Sequence, residues 1–183
     1  MDIAGILSTL EKTSLATTIR ESLLLFPMLE SFHVIGLSMV FGTIAIIDLR
    51  LLGLASTQRP FTRIANDILK WTWAAFTLTV ITGALMFTTN AGVYFHNFYF
   101  RSKMLLLLLA GINMLMFELT AGRSVERWDK NASAPLSGKT VAAISIVLWI
   151  GIIILGRWIG FTTSRAQFKA EPPDINLEDI LPK

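Results

Sequence analysis

Two histidines, His33 and His96, are the side chains of this 183-residue sequence best suited to bind a metal or move a proton near neutral pH. A neutral imidazole offers iron a nitrogen ligand, and two imidazoles from different segments can clamp the two faces of a porphyrin. The chemistry implied is one b-type haem with His33 and His96 as axial ligands. No cysteine occurs, so a CxxCH attachment, a thiolate metal site and a disulfide framework are all excluded. Gly36, about one turn after His33, would make room for a flat ring and equally permits close helix packing. Arg20, Arg101, Lys103 and Arg157 supply positive charge for haem propionates, and their alternative work is to anchor helix ends at a membrane interface. Met39, Met86 and Met104 offer thioethers as substitute ligands or as core filler. Two other uses of the histidines stay open. One is a copper or zinc ion held by His33 and His96 with Glu30 or a methionine, although such ions ordinarily take three or four protein ligands. The other is plain hydrogen bonding, His33 to Glu30 one turn earlier.

These residues must be positioned by apolar elements. The chain is 53% hydrophobic and 16% charged, against about 25% charged in soluble domains, and its mean hydropathy is +0.59. The charges collect at the edges of four apolar stretches. A helix needs roughly 20 residues to cross a hydrocarbon core of about 30 Å. Spans are therefore expected near residues 30–52, 70–89, 101–121 and 140–161, the first and third relying on snorkelling flanks. The fold class is all-α: a four-transmembrane-helix bundle over residues 27–165, an amphipathic N-terminal helix over 1–26, and a polar tail over 166–183. Ile3, Ile6, Leu7 and Leu10, then Leu15, Ile19, Leu23 and Phe26, give the N-terminal segment its apolar stripe. It lies along the membrane surface or caps the bundle. Pro27 marks a break before the first span. The tail is extended, or it clasps a partner subunit through Ile175, Leu177, Ile180 and Leu181.

Arg50, Arg59, Arg63 and Lys70 follow the first span, and Arg123, Arg127, Lys130 and Lys139 follow the third. The positive-inside tendency makes that side cytoplasmic, so both termini, His33 and His96 share the outer face. At the inner face Asp48 with an arginine, or Glu118 with Arg50, would pair helices. The net charge of +3, with no basic patch interleaved with aromatics, excludes nucleic-acid binding. No phosphate loop, dinucleotide fingerprint, HExxH or GxSxG occurs, so an enzyme in its own right is not expected. The expected partners are membrane lipids, further subunits in a homo- or hetero-oligomer, and a periplasmic or membrane redox protein.

The run Ile19 to Gly53, with Ile19-Arg20-Glu21-Ser22, Pro27, Glu30, His33, Gly36, Gly42 and Asp48-Leu49-Arg50-Leu51-Leu52-Gly53, resembles a family of uncharacterised small bacterial four-helix inner-membrane proteins. The resemblance covers most of residues 10 to 165. It implies the bacterial cytoplasmic membrane and little about activity. A looser likeness exists to b-type membrane cytochromes and to copper-resistance membrane domains, which usually carry more histidines than this chain. Two readings of function follow. One is a haem-b subunit passing electrons to a partner; the other is a cofactor-free structural or assembly subunit of a larger membrane complex.

Overall fold

A computed structural model describes residues 2–130 and 134–170, with side chains as far as Thr163. Four helical stretches are long and apolar enough to cross a membrane: Leu25–Leu52, Phe61–Thr89, Phe98–Trp128 and Leu136–Thr163. The protein is an all-α, four-span membrane bundle, and the described residues contain no strand.

The N-terminal segment is two helices, α1 (Ile3–Glu11) and α2 (Ser14–Glu21), where one was expected. The break has a local cause. The Thr13 hydroxyl accepts from the Ala16 amide at 3.3 Å and so caps a new helix start. Leu7, Ala16 and Ile19 turn inward, and the pair packs on α3, α4 and α5 as a cap over one end of the bundle.

The first span, α3 (Leu25–Leu52), carries Pro27 in its opening turn, where the missing N–H has no partner to lose. It ends at Gly53, whose φ of 77° is the left-handed geometry glycine tolerates. Leu54 N–H donates back to the Leu49 carbonyl at 2.9 Å and closes that end. The second, α4 (Phe61–Thr89), starts well before the expected residue 70. Its polar first turns are stabilised from outside: the Asp129 carboxylate accepts from the Thr62 amide at 2.7 Å and the Thr62 hydroxyl at 3.0 Å. A short α5 (Ala91–His96) leads into α6 (Phe98–Leu119). A 3-10 turn (Gly122–Ser124) and α7 (Val125–Trp128) follow. The last helix, α8 (Leu136–Ala170), has 35 residues and runs about 50 Å at 1.5 Å per residue, further than the hydrocarbon core is thick. It therefore extends into residues expected to form the tail. Residues 171–183, with the suggested clasp, lie outside the described part.

The extensive helix pairings are α3 with α4, α6 with α8, and α3 with α8. Val40, Ala75, Trp149 and Ile152 are buried among these helices at mid-bundle, while Leu51, Phe61, Ala121, Trp128 and Ala142 form a second core at the α7 end. Helices α4 and α6 meet through aromatic side chains near their ends, Phe87 on Phe100 at 5.4 Å and Phe61 against Phe117 at 5.7 Å. Leu108, Val80 and Val147 are exposed. Such outward apolar faces would be a liability in water and suit a hydrocarbon solvent.

Candidate ligand site at the α5 end of the bundle

His33 faces α4. Its Nδ1 stands 3.0 Å from the Thr79 carbonyl and 3.1 Å from Thr82 Oγ1. A carbonyl only accepts, so Nδ1 carries the proton and Nε2 keeps its lone pair. Thr82 fits this assignment, because its own hydroxyl proton goes to the Leu78 carbonyl at 2.8 Å. The ring has its place because residue 83 is glycine: a Cβ there would sit 2.9 Å from His33 Cε1. One turn along α3, a Cβ on Gly36 would fall 2.5 Å from Thr79 Oγ1 and 3.3 Å from the Ala75 carbonyl. The room left by Gly36 is thus taken up by α4.

His96 ends α5 and is exposed. Its Nδ1 lies 2.8 Å from the Gly92 carbonyl, one turn earlier, so Nδ1 is again the donor. The ring stands edge-on to Phe95 at 5.5 Å. Helix α5 is itself fixed from α1, because Glu11 Oε1 accepts from the Gly92 amide at 2.8 Å. An acidic group at a helix start also suits the backbone dipole.

The four basic residues have separate placements. Arg20 Nη1 donates to the Thr89 carbonyl at 3.0 Å, tying α2 to the last residue of α4. Lys103 Nζ lies 3.9 Å from where a Cβ of Gly156 would be, so it sits between α6 and α8. It is near enough to His33 to act on it electrostatically. The Arg157 guanidinium lies 5.2 Å from the Phe161 ring centroid, one turn further along α8. Arg101 is exposed on the first turn of α6. The structure thus brings Lys103 towards His33, while His96 bonds within its own short helix. Among the described residues, no three of the side chains that ligate metals most often, histidine, cysteine, aspartate or glutamate, converge to hold an ion.

Several residues that build this end were not anticipated. Tyr94 packs with Phe87 and Phe100 at ring separations of 6.3 and 5.9 Å. Burial, and then the Glu30 carboxylate, push its phenol above the ordinary 10.0. Asn97 accepts from the Tyr99 and Phe100 amides at 2.9 and 3.2 Å and donates to Thr162 Oγ1 on α8 at 2.9 Å. An asparagine directly before an apolar helix is a start signal that the sequence does carry.

The opposite end is organised around Arg50, which is 0% exposed. Its Nε and Nη2 donate to the Arg59 carbonyl at 3.1 and 3.0 Å, and Nη2 also reaches the Asp129 carbonyl at 3.4 Å. Asp48, expected to pair with an arginine, lies instead within reach of the Ser145 hydroxyl on α8.

A family model described as a family of unknown function, DUF6644, matches residues 23–162, from just before α3 to well along α8. The chain belongs to that family, and its α1 and α2 cap lies outside the matched range. No curated protein and no solved structure matches the chain. The looser likeness to b-type cytochromes and copper-resistance domains gains no support from these comparisons.

Proposed function

We propose that this family member is a cofactor-free structural or assembly subunit of a larger membrane complex. Its place is the bacterial cytoplasmic membrane, with both termini periplasmic. The observation that carries the reading is the use made of polar side chains between the helices. His33 ties α3 to α4. Asn113 ties α6 to α8 by donating to the Val141 carbonyl at 3.0 Å. Asn97 ties the α5–α6 corner to α8, and Arg20 ties α2 to α4. Each bond fixes one helix against another, which is the work expected of a scaffold. The orientation follows from Arg59, Arg63, Arg123 and Arg127 at the α7 end, which the positive-inside tendency assigns to the cytoplasm.

A second reading, one haem b on His33 and His96 serving electron transfer with a periplasmic or membrane redox partner, is favoured by one specific observation. Both imidazoles give their Nδ1 proton to a backbone carbonyl, which is how ligating histidines are commonly oriented with Nε2 free for the metal. Arg20, Arg101, Lys103 and Arg157 would then serve the propionates, and Gly36 would border the ring. A copper or zinc ion on the same imidazoles would need further ligands.

One preparation separates these readings. The full chain, expressed with ample haem and purified in mild detergent, is examined by visible spectroscopy in both redox states, by elemental analysis and by native mass spectrometry. A colourless, metal-free protein in an assembly larger than one chain is expected. A Soret band with a sharp reduced α band, lost in both His33→Ala and His96→Ala, would replace the scaffold reading with the haem one. Stoichiometric copper or zinc would replace both.

A further inference from the structure

Asp48 lies near the end of α3, where that helix meets α8, and is 5% exposed. Its Oδ2 is sealed from solvent without a hydrogen-bond partner, and it is the one buried side-chain oxygen or nitrogen so placed among the described residues. Ser145 of α8, 8% exposed, is near enough for its hydroxyl to act on the carboxyl. Arg50, two residues further on, leaves the helix on another side, because successive residues turn by about 100°, and it serves the carbonyls of Arg59 and Asp129. Among the described residues, burial and the Ser145 hydroxyl are the influences resolved on the Asp48 carboxyl.

An isolated carboxylate is costly here, since a buried charge with no counter-charge pays its desolvation without return. A bound proton or cation would relieve that cost. Hard cations such as Ca2+ take about six to eight oxygens, whereas Ser145 is the side chain within reach and no carboxylate cluster stands beside it among the described residues. A proton requires a single oxygen.

We infer that Asp48 and Ser145 form a proton-binding site inside the bundle at the α3–α8 interface. Asp48 Oδ2 takes one proton from hydronium, releasing water, and the Ser145 hydroxyl bonds the other side of the carboxyl group. No electron moves. With the proton bound, α3 and α8 press together through a neutral contact. With it released, the same contact encloses a negative charge, so the site links helix packing to proton activity.

Infrared spectroscopy of the full chain in lipid nanodiscs tests this, with aspartate isotope-labelled at its side-chain carboxyl. At neutral pH the wild type should show one protonated carboxylic carbonyl band per chain, shifted by the label and by D2O. Asp48→Asn should remove that band, and Ser145→Ala should move it to higher frequency. If Asp48→Asn fails to fold, the isotope shift in the wild type and the Ser145→Ala displacement still decide. A wild-type spectrum with all aspartates as carboxylates overturns the inference. So does a band that disappears when sodium chloride replaces choline chloride at constant pH, because a metal ion would then be the ligand.

Discussion

At the α7 end of the bundle Arg50 is fully enclosed, and its guanidinium spans the carbonyls of Arg59 and Asp129 while the Asp129 carboxylate starts α4. At the α5 end His33 is half-buried, His96 is exposed, and each imidazole satisfies a single nitrogen. The first region gathers a loop and two helix termini around one cation. The second is a layer of short helices whose polar groups make mostly pairwise bonds. At the α7 end one buried guanidinium serves the carbonyls of two residues, whereas at the α5 end each polar side chain ties one pair of segments. The contrast is between a shared hub and a set of single ties.

The largest effect is expected at the shared hub. Arg50→Ala strips donors from the Arg59 and Asp129 carbonyls, leaves a void where a fully buried side chain stood, and should lower stability by about 3 kcal/mol. Thermal unfolding in detergent measures it, and Arg50→Lys should recover only part because an ammonium lacks the planar fork. An Arg50→Ala variant as stable as the wild type would break the contrast between the ends.

A smaller effect is expected at the α5 end from Gly83→Ala. The new methyl would meet His33 Cε1 at 2.9 Å and cost about 2 kcal/mol in displaced packing. Better helix propensity returns about 1 kcal/mol. A modest net loss should accompany changed imidazole resonances of His33 by NMR. Unchanged resonances would mean that Gly83 does not place the ring.

The smallest effect is expected from Tyr94 and from pH alone. Its phenol is raised above 10.0 by burial and then by Glu30, so the folded state holds that proton longer than the unfolded chain does. The contribution is fully present below pH 10 and declines as pH climbs through the folded-state value. Ultraviolet titration should show one tyrosinate forming late, and earlier in Glu30→Gln. Two tyrosines titrating together near 10 would remove Tyr94 from the interior.

The spans were readable in the sequence because hydrocarbon accepts few alternatives to long apolar helices. Where they begin was less readable. The first turns of α4 contain Arg63 and Asp67, so no apolar window reaches Phe61, and the group that stabilises them, Asp129, lies far along the chain. The split between α1 and α2 turns on one hydroxyl, that of Thr13. The bonding partners of His33 were hidden for a similar reason: Thr79 and Thr82 are assigned to it only by the packing of α3 on α4, while the nearby Glu30 looked the easier partner. Asn97 was readable as a helix start, but its bond to Thr162 was not.

The pairing of the long helices also bears on how the protein is made. The tightest contacts join α3 to α4 and α6 to α8, each pair being neighbouring spans in the chain, and the two pairs adjoin most closely along α3 and α8. Two hairpins can therefore enter the bilayer one after the other during translation, each already paired on arrival. On that route the α3–α8 seam closes after both hairpins are in place. Asp48 and Ser145 lie on that seam, so their contact exists only once the second hairpin has docked on the first, and it reports completed biogenesis.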